Sequence, residues 1–318
     1  MKGKKMEMAK KQFASRTINS LIKHLYDKKL NLFNLHYSIN SKKIDKTKTA
    51  FVNAHCIYCL NELGYKKQAR DMLLAMMKSK LFDQKKHLFR FSMKNGKILN
   101  PDKNGCSNLL MLKNFASLGF KDEASKLKKA IIENLFDKNK GLFRRSVKDK
   151  NLFVAQTNLW AAKALESLGM KIEAKRLIKN IIKRFYQADE LISSSSTQKG
   201  KYKEKYIFSD DNFLFCWIAN KYYPGLCKRI AAKLMKSGLL DKKTGLFNRS
   251  IRLNDNFLNT DKSAYKNAIC LLGLKELKHS YAPKLEKAMV KHLYNKKANL
   301  FYDCFSDSNL LACYALSK

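Results

Sequence analysis

Apolar residues recur with helical spacing in six segments of this chain, and each segment starts at an asparagine. The positions three, four and seven residues after that asparagine stay apolar, which places them on one face of a helix. The six asparagines are Asn53, Asn108, Asn158, Asn212, Asn267 and Asn309. A lysine-rich segment with the pattern of an amphipathic helix follows each of the first five. The pattern predicts pairs of an apolar inner helix and a half-exposed outer helix.

A second landmark repeats between these pairs. The segment Leu-Tyr-Asp-Lys-Lys-Leu-Asn-Leu-Phe at 25–33 recurs with small changes at 81–89, 135–143, 239–247 and 293–301. The period is near 54 residues, and the interval before the fourth copy is two periods long. We therefore expect one degenerate copy near Phe185, in a fourth unit that has lost the standard turn.

The two ends of the chain distinguish a ring from an open rod. Residues 8–24 have the pattern of an outer helix, whereas the chain ends in an inner-type helix rich in Leu and Ala. An open solenoid needs polar end caps, and this last helix is strongly apolar. We expect an all-α fold in which these two helices pair and close six hairpins into an (α/α)6 toroid. The prediction is one domain over 1–318, with a disordered basic terminus at 1–7.

Composition supports long helices and raises the question of anionic partners. Only 12 Gly and 3 Pro are present, and the formal net charge is +39. The excess of lysine is spread evenly, which favours solvated helix faces over a dedicated nucleic-acid stripe, although such a surface attracts polyanions at low salt. The chain contains no apolar stretch of 18 residues, so we expect no membrane span. With no evident signal peptide, the eight cysteines indicate a reducing cytoplasm.

The repeated Leu-Phe-Asp turns, together with the Asn-led inner helices, resemble the six-hairpin glycosidase superfamily. That resemblance covers nearly the whole chain and implies an active site at one mouth of the barrel. It is architectural, since the same toroid also carries sugar epimerases, polysaccharide lyases and terpenoid or lanthionine cyclases.

Acidic residues are frequent in the segments that precede the inner helices. Asp45, Asp261 and Asp307 lie just before predicted helix starts, where Asp is also a favoured N-cap. Glycoside hydrolysis needs two carboxyl groups on opposite sides of the scissile bond. We expect one of these three carboxylates to act as the base of such a pair, and capping is the alternative role for each.

The fourth unit is where we expect the acid. Asp210 and Asp211 are adjacent at an inner-helix start, and crowding of two carboxylates can keep one protonated. Phe208 and Trp217 supply aromatic rings for a sugar. The alternative is that one repeat lost its consensus sequence without gaining a function, which would produce the same pattern.

Two further clusters admit a functional and a structural interpretation. A lyase would use a set such as Asn53, His55, Tyr206 and Arg249, and Asn53 and His55 are candidate substrate-binding residues. His55-Cys56-x-x-Cys59 is a weak zinc signal, because the thiols take apolar slots of the repeat. We predict core packing for the cysteines, with no metal site and no cofactor.

These observations favour a carbohydrate-active enzyme of the glycoside hydrolase type, with a carbohydrate substrate. A lyase or sugar epimerase is a less favoured reaction. The alternative from another class is a non-catalytic toroid whose lysine-rich exterior binds an acidic polymer, either nucleic acid or anionic polysaccharide, or a protein.

Overall fold

The computed structural model describes residues 2–187, 190–197, 206–252 and 255–318, with side chains from Lys10 onward. Twelve helices lie in these ranges. They are α1 Lys2–Leu25, α2 Ala50–Glu62, α3 Lys66–Lys78, α4 Gly105–Ser117, α5 Lys121–Leu135, α6 Ala155–Ser167, α7 Lys171–Phe185, α8 Ser209–Ala219, α9 Pro224–Lys236, α10 Ala264–Glu276, α11 Ala282–His292 and α12 Ser306–Ser317. The even-numbered helices are apolar and almost wholly buried, and α3, α5, α7, α9 and α11 are amphipathic.

Short strands connect the helices. They are β1 Tyr26–Asp27, β2 Leu32–Phe33, β3 His36–Tyr37, β4 Ile44–Asp45, β5 Lys48–Thr49, β6 Phe82–Asp83, β7 Leu88–Phe89, β8 Ser92–Lys94, β9 Lys97–Asn100, β10 Phe136–Asp137, β11 Leu142–Phe143, β12 Leu152–Val154, β13 Ser195–Thr197, β14 Tyr206–Phe208, β15 Leu240–Asp241, β16 Leu246–Phe247, β17 Ser250–Arg252, β18 Phe257–Asn259, β19 Tyr294–Asn295 and β20 Leu300–Phe301. All pairings are antiparallel, in small sheets of two or three strands within the described chain.

The repeated turn motif forms five of these hairpins. In the third copy Phe136 pairs with Phe143, and the Asp137 side chain accepts the backbone N–H groups of Asn139 and Lys140. Gly141 has a φ of 61°, and the equivalent position in the other copies is held by another Gly, an Asn or a His, also with positive φ. The Asp of the motif is thus a turn-forming residue, and the left-handed position explains the recurrence of Gly and Asn there.

The inner helices form a closed ring in the order α2, α4, α6, α8, α10 and α12, with α12 packing against α2. The helix α1 packs on α12 and completes the sixth hairpin. At this seam the Phe13 ring lies 4.7 Å from that of Tyr294, and the Ser20 hydroxyl donates a hydrogen bond to Ala298 O over 2.6 Å. The predicted closure by the two ends of the chain is confirmed. The expected disorder of 1–7 stays a prediction, because the side chains there lie outside the described part.

The asparagine at each inner helix ties that helix to the preceding strand. The Asn108 side-chain oxygen accepts Phe89 N–H over 2.7 Å, while its amide donates to Phe89 O and Asn104 O. The same three bonds occur at Asn53, Asn158, Asn212 and Asn267, and Asn309 forms two of them, to Phe301 N–H and Phe305 O. In the fourth unit Ile192 takes the place of Phe, so the helix anchor survives where the turn motif does not. Residues 198–205 of that unit lie outside the described residues.

Candidate active site at the barrel mouth

Six inner helices start at the same end of the barrel, and the asparagines give their common register. The residue two positions before each asparagine forms a layer at this mouth, made of Phe51, Cys106, Gln156, Asp210, Tyr265 and Asp307. The rings of Phe51 and Tyr265 lie 6.2 Å apart although α12 separates their helices in the ring, so both side chains point inward. The positive ends of the helix dipoles meet here, and they favour negative charge at the mouth.

A cavity of about 690 Å³ opens at this mouth between α2, α10 and α12. Its polar lining combines acidic and basic groups, and its apolar lining is mostly aromatic. The lining residues are Leu35, His36, Thr49, Phe51, Val52, Phe91, Arg249, Asp261, Lys262, Ser263, Tyr265, Lys266, Tyr302, Asp303, Phe305, Asp307 and Ser308. This combination of aromatic faces and a few convergent polar groups is typical of a small-molecule site.

Two carboxyl groups at the start of α12 line the cavity and are difficult to ionise. Asp307 is buried, and burial together with the charge of Asp303 raises the pKa of Asp307 to about 7. Burial also raises the pKa of Asp303 to about 6, although hydrogen bonds from the Ala264 backbone and Ser308 lower it. The Asp303 carboxylate accepts Ala264 N–H over 2.9 Å and so caps the neighbouring helix α10. Asp307 therefore keeps its proton to a much higher pH than an ordinary aspartate.

The Asp210–Asp211 pair lies on α8, beside this cavity. Asp210 forms an ion pair with Lys266 over 2.7 Å. Of these two residues, Lys266 lines the cavity. Asp211 is also buried, and burial followed by the charge of Asp210 raises its pKa well above the usual range, against the opposing effect of Lys266. Lys266 thus connects Asp210 to the cavity lining.

A hydrogen-bonded Tyr–His pair lies beneath the mouth layer. The Tyr265 hydroxyl is 3.1 Å from His55 Nε2, and His55 Nδ1 is 3.0 Å from Phe51 O. A carbonyl oxygen only accepts, so Nδ1 carries the ring proton and Nε2 accepts from Tyr265. Burial lowers the pKa of His55 to about 4, which keeps the ring neutral. Burial also raises the pKa of Tyr265, with Cys106, Asp307 and Asp210 among the groups that add to the shift.

The structure separates the sequence-predicted acids into three groups. Asp261 and Asp307 line the cavity, whereas Asp210 and its neighbour Asp211 lie beside it on α8, where Asp210 forms the ion pair with Lys266. Asp261 is exposed and 3.8 Å from Arg249. Asp45 lies in the hairpin of β3 and β4, where it accepts from Thr47 and pairs with Lys94 over 3.2 Å. Asp45 is not part of the cavity lining and, unlike Asp210, forms no ion pair with a residue that lines it, so we do not carry it into the proposed site.

The predicted substrate-binding residues have mainly structural contacts. Asn53 and His55 are fully buried, and their polar atoms are used by the helix anchor and the Tyr–His pair. Trp217 lies deeper in the barrel, 6.0 Å from Trp160 and beneath the Lys163 amine. None of the three lines the cavity, and their contact with a substrate stays a prediction. Phe208 caps α8, and its ring lies 4.8 Å from Lys266 Nζ.

The lyase set is not assembled at one place. Arg249 lines the cavity, whereas Asn53 and His55 are enclosed and Tyr206 is paired in the sheet of β14 and β17. The cysteines lie buried, and burial raises the pKa of Cys56 and Cys59. Among the described residues no cluster of three or more His, Cys, Asp or Glu has the arrangement of a metal site. In that same part of the chain, none of the helices combines the length and apolar composition of a membrane span.

Three important site residues were absent from the sequence-based site. Tyr265, Lys266 and Asp303 carry no motif of their own, and each acquires its role from contacts between units. The repeat contained a usable signal for Tyr265, because it occupies the same place before its asparagine as Asp210 and Asp307. The repeat places the connection of Asp303 at the mouth, but it does not predict the contact of Asp303 with Ala264 of the neighbouring unit.

No family model and no curated protein sequence matches this chain. Solved structures do match it over nearly their whole length. A D-mannose isomerase is 13% identical, with a TM-score of 0.78 over 97% of both chains. The cellobiose 2-epimerase from Bacillus thermoamylovorans B4167 is 12% identical, with a TM-score of 0.79 over 96% of this chain and 98% of its own.

The α-1,6-mannanase of Salegentibacter sp. HEL1_6 is 10% identical, with a TM-score of 0.70 over 97% of this chain and 98% of its own. At such low identity, these likenesses establish the architecture and leave the chemistry to the site itself. The chain has the (α/α)6 toroid fold that these solved structures share.

Proposed function

We propose that this chain is a carbohydrate-active enzyme that hydrolyses glycosidic bonds at the barrel mouth. The observation that carries the proposal is the mouth layer, in which Asp210 and Asp307 flank Tyr265 beside a cavity of about 690 Å³. Two carboxyl groups in different protonation states are the requirement of this chemistry. We assign the two roles to Asp210, which is ion-paired, and to Asp307, whose pKa is raised to about 7.

Asp307 is the proposed general acid. It lines the cavity, so it can reach the oxygen of a leaving group, and its pKa near 7 keeps a proton available. Asp303 assists by its negative charge, which is the second cause of that raised pKa. This role differs from the sequence-based expectation, in which Asp307 is a candidate base.

Asp210 is the proposed base that activates water or supports the developing positive charge on the sugar. Lys266 holds its carboxylate by the 2.7 Å ion pair. Asp211, whose pKa is raised by burial and by Asp210, stays neutral behind it and avoids a second buried charge. This assignment places the two reactive groups on α8 and α12, which flank α10 in the ring.

The mouth also offers faces on which a sugar ring can lie. Tyr302 is 59% exposed and Phe305 is 38% exposed, and both line the cavity. His36 lies beside Phe305, with ring centroids 4.9 Å apart. Because both rings are exposed and line the cavity, we assign them to substrate contact in place of Trp217.

The structural neighbours support the class of substrate. They include a D-mannose isomerase, a cellobiose 2-epimerase and an α-1,6-mannanase. An inactive variant of that mannanase, in complex with α-1,6-mannotetrose, has two consecutive aspartates replaced by alanine. This chain also carries two consecutive aspartates in the first turn of an inner helix, which favours hydrolysis over epimerisation here.

The test is a product analysis on a panel of oligosaccharides that includes α-1,6-mannosides, cellobiose and free mannose. Hydrolysis predicts shorter sugars, with turnover reduced at least about 100-fold in Asp210→Asn and Asp307→Asn. Asp45→Asn is the matched control, because that carboxylate lies outside the cavity and should leave turnover unchanged.

The same assay identifies the competing chemistry. Products of unchanged mass but altered configuration would show an epimerase or isomerase and would contradict hydrolysis. Equal turnover in wild type and both mouth variants would also reject the proposed pair of carboxylates.

A further inference from the structure

A continuous groove runs over the outside of the ring between α5 and α7, across the hairpin of β10 and β11. One part has a volume of about 610 Å³ and five basic residues in its described lining, with no acidic residue there. Four of the five basic side chains are exposed, namely Lys138, Lys140, Arg176 and Lys183. A groove with one sign of charge focuses the electrostatic potential and attracts a polyanion.

The second part of the groove is apolar. It has a volume of about 270 Å³ and shares Phe136, Gly141, Arg176 and Asn180 with the basic part. Its lining is mainly hydrophobic, from Ile132, Phe143, Leu165, Met170 and Leu177, with Glu173 among it. A surface used only for solubility would not need an apolar recess that opens into a basic groove.

The groove has a well-defined floor. The Asn180 side chain donates a hydrogen bond to Gly141 O over 3.0 Å and ties the hairpin to α7. Phe136 is packed against Phe143, with ring centroids 4.9 Å apart, and therefore presents its ring in a fixed orientation. Both contacts fix the position of the basic part of the groove relative to the apolar part.

We infer that this groove binds a short stretch of single-stranded nucleic acid. Arg176 and Lys183 are seven residues apart on one face of α7, about 10 Å along the helix axis, which corresponds to roughly three stacked nucleotides. Their amine and guanidinium groups contact phosphates, and an unpaired base enters the apolar part to stack on Phe136. A duplex keeps its bases paired and stacked and offers none to this recess.

The inference does not depend on the proposed hydrolase activity, since the groove is on the outer surface and the barrel mouth is formed by inner helices. An acidic peptide would satisfy the basic part alone, and a free polyphosphate would do the same. The apolar recess distinguishes the nucleic acid from both, because it contributes only when a base accompanies the charge.

The test is a fluorescence-anisotropy titration of the full chain with a labelled oligothymidylate of about twelve nucleotides, over salt of roughly 50 to 200 mM. The variant Arg176→Gln/Lys183→Gln should bind at least about tenfold more weakly, with the salt slope smaller by about 1.4 for two lost phosphate contacts. Lys228→Gln/Arg229→Gln is the control of equal charge change, on the exposed face of α9.

A second pair of variants tests the recess. Phe136→Leu should weaken binding several-fold while keeping an apolar side chain. Phe82→Leu is its control in the equivalent hairpin, where Phe82 packs on Phe89 with the same 4.9 Å separation. Circular dichroism and thermal melting establish that all four variants are folded.

Three results would overturn the inference. Equal loss of affinity in the two charge variants would mean that binding uses the general surface charge. Competition by tripolyphosphate or poly-glutamate as effective as that by unlabelled oligothymidylate would exclude base recognition. A wild-type chain that does not bind the oligonucleotide at the lowest salt would reject the site itself.

Discussion

The Tyr265 hydroxyl donates a hydrogen bond to Nε2 of His55 over 3.1 Å and links the layer at the barrel mouth to the layer beneath it. The two residues come from α10 and α2, which α12 separates in the ring. The floor of the cavity therefore depends on a contact between units that are distant in sequence.

Tyr265→Phe tests this contact. The change removes the donor and leaves Nε2 of a fully buried His55 without it. We expect the free energy of unfolding in urea to fall by about 1–3 kcal/mol. Tyr302→Phe, at an exposed position of the same cavity, is the control and should unfold like wild type. Equal stability of the two variants would contradict the role of the pair.

Asn108→Ala tests the anchor that recurs in all six units. It removes three hydrogen bonds and leaves the Phe89 N–H group buried without its acceptor. We expect a loss of about 2–4 kcal/mol in the free energy of unfolding. Asn151→Ala, at an exposed turn position, should change stability by less than about 0.5 kcal/mol. A small effect at Asn108 would mean that the apolar packing alone sets the helix position.

Phe13→Ala tests the seam of the ring. The Phe13 ring packs on Tyr294 and Phe301, with centroids 4.7 and 6.3 Å away. Its loss should cost roughly 2–3 kcal/mol, measured by urea unfolding. Phe257→Ala removes the same side chain where it is 56% exposed, and should cost much less. Similar costs at the two positions would contradict closure of the ring through α1.

Asp303→Asn tests how the acid at the mouth is tuned. The charge of Asp303 is the second cause of the raised pKa of Asp307, after burial, so its removal should lower that pKa. If Asp307 acts as an acid, activity falls as pH rises through its pKa, and in the variant this fall should begin up to about one pH unit lower. The asparagine can still accept Ala264 N–H. Asp261→Asn is the exposed control, and a shift of the same size there would remove Asp303 from this role.

Asp307→Asn tests the stability cost of the same carboxyl group. Its folded pKa, about 7, lies above its usual value of 3.8, so the folded state binds more protons and wild-type stability falls as pH rises between these values. The variant cannot ionise, and its stability relative to wild type should rise by a few kcal/mol over this window. Urea unfolding at about pH 4 and pH 8 measures the difference. A pH-independent difference would show that Asp307 is not desolvated.

Local patterns were sufficient for the architecture. The spacing of apolar residues after Asn53 and its five equivalents depends only on helix periodicity, and the repeat of the Leu-Phe-Asp turn counts the units. The apolar character of α12 identified its need for a partner, which α1 supplies. The sequence by itself therefore determined the helix pairs, their number and the closure of the ring, because each of these follows from neighbouring residues or from burial of one helix face.

The candidate site depends on contacts between units, which no local sequence pattern predicts. Asp45 and Asp307 both lie near the start of an inner helix, yet Asp45 is half-buried in a hairpin and Asp307 is buried at the cavity. Lys266 meets Asp210, and Asp303 meets Ala264, only because neighbouring units are packed side by side. The tertiary structure alone decided which carboxyl groups are buried, which are paired with a cation and which line the cavity. The reason is that burial and charge pairing depend on how neighbouring units pack against each other.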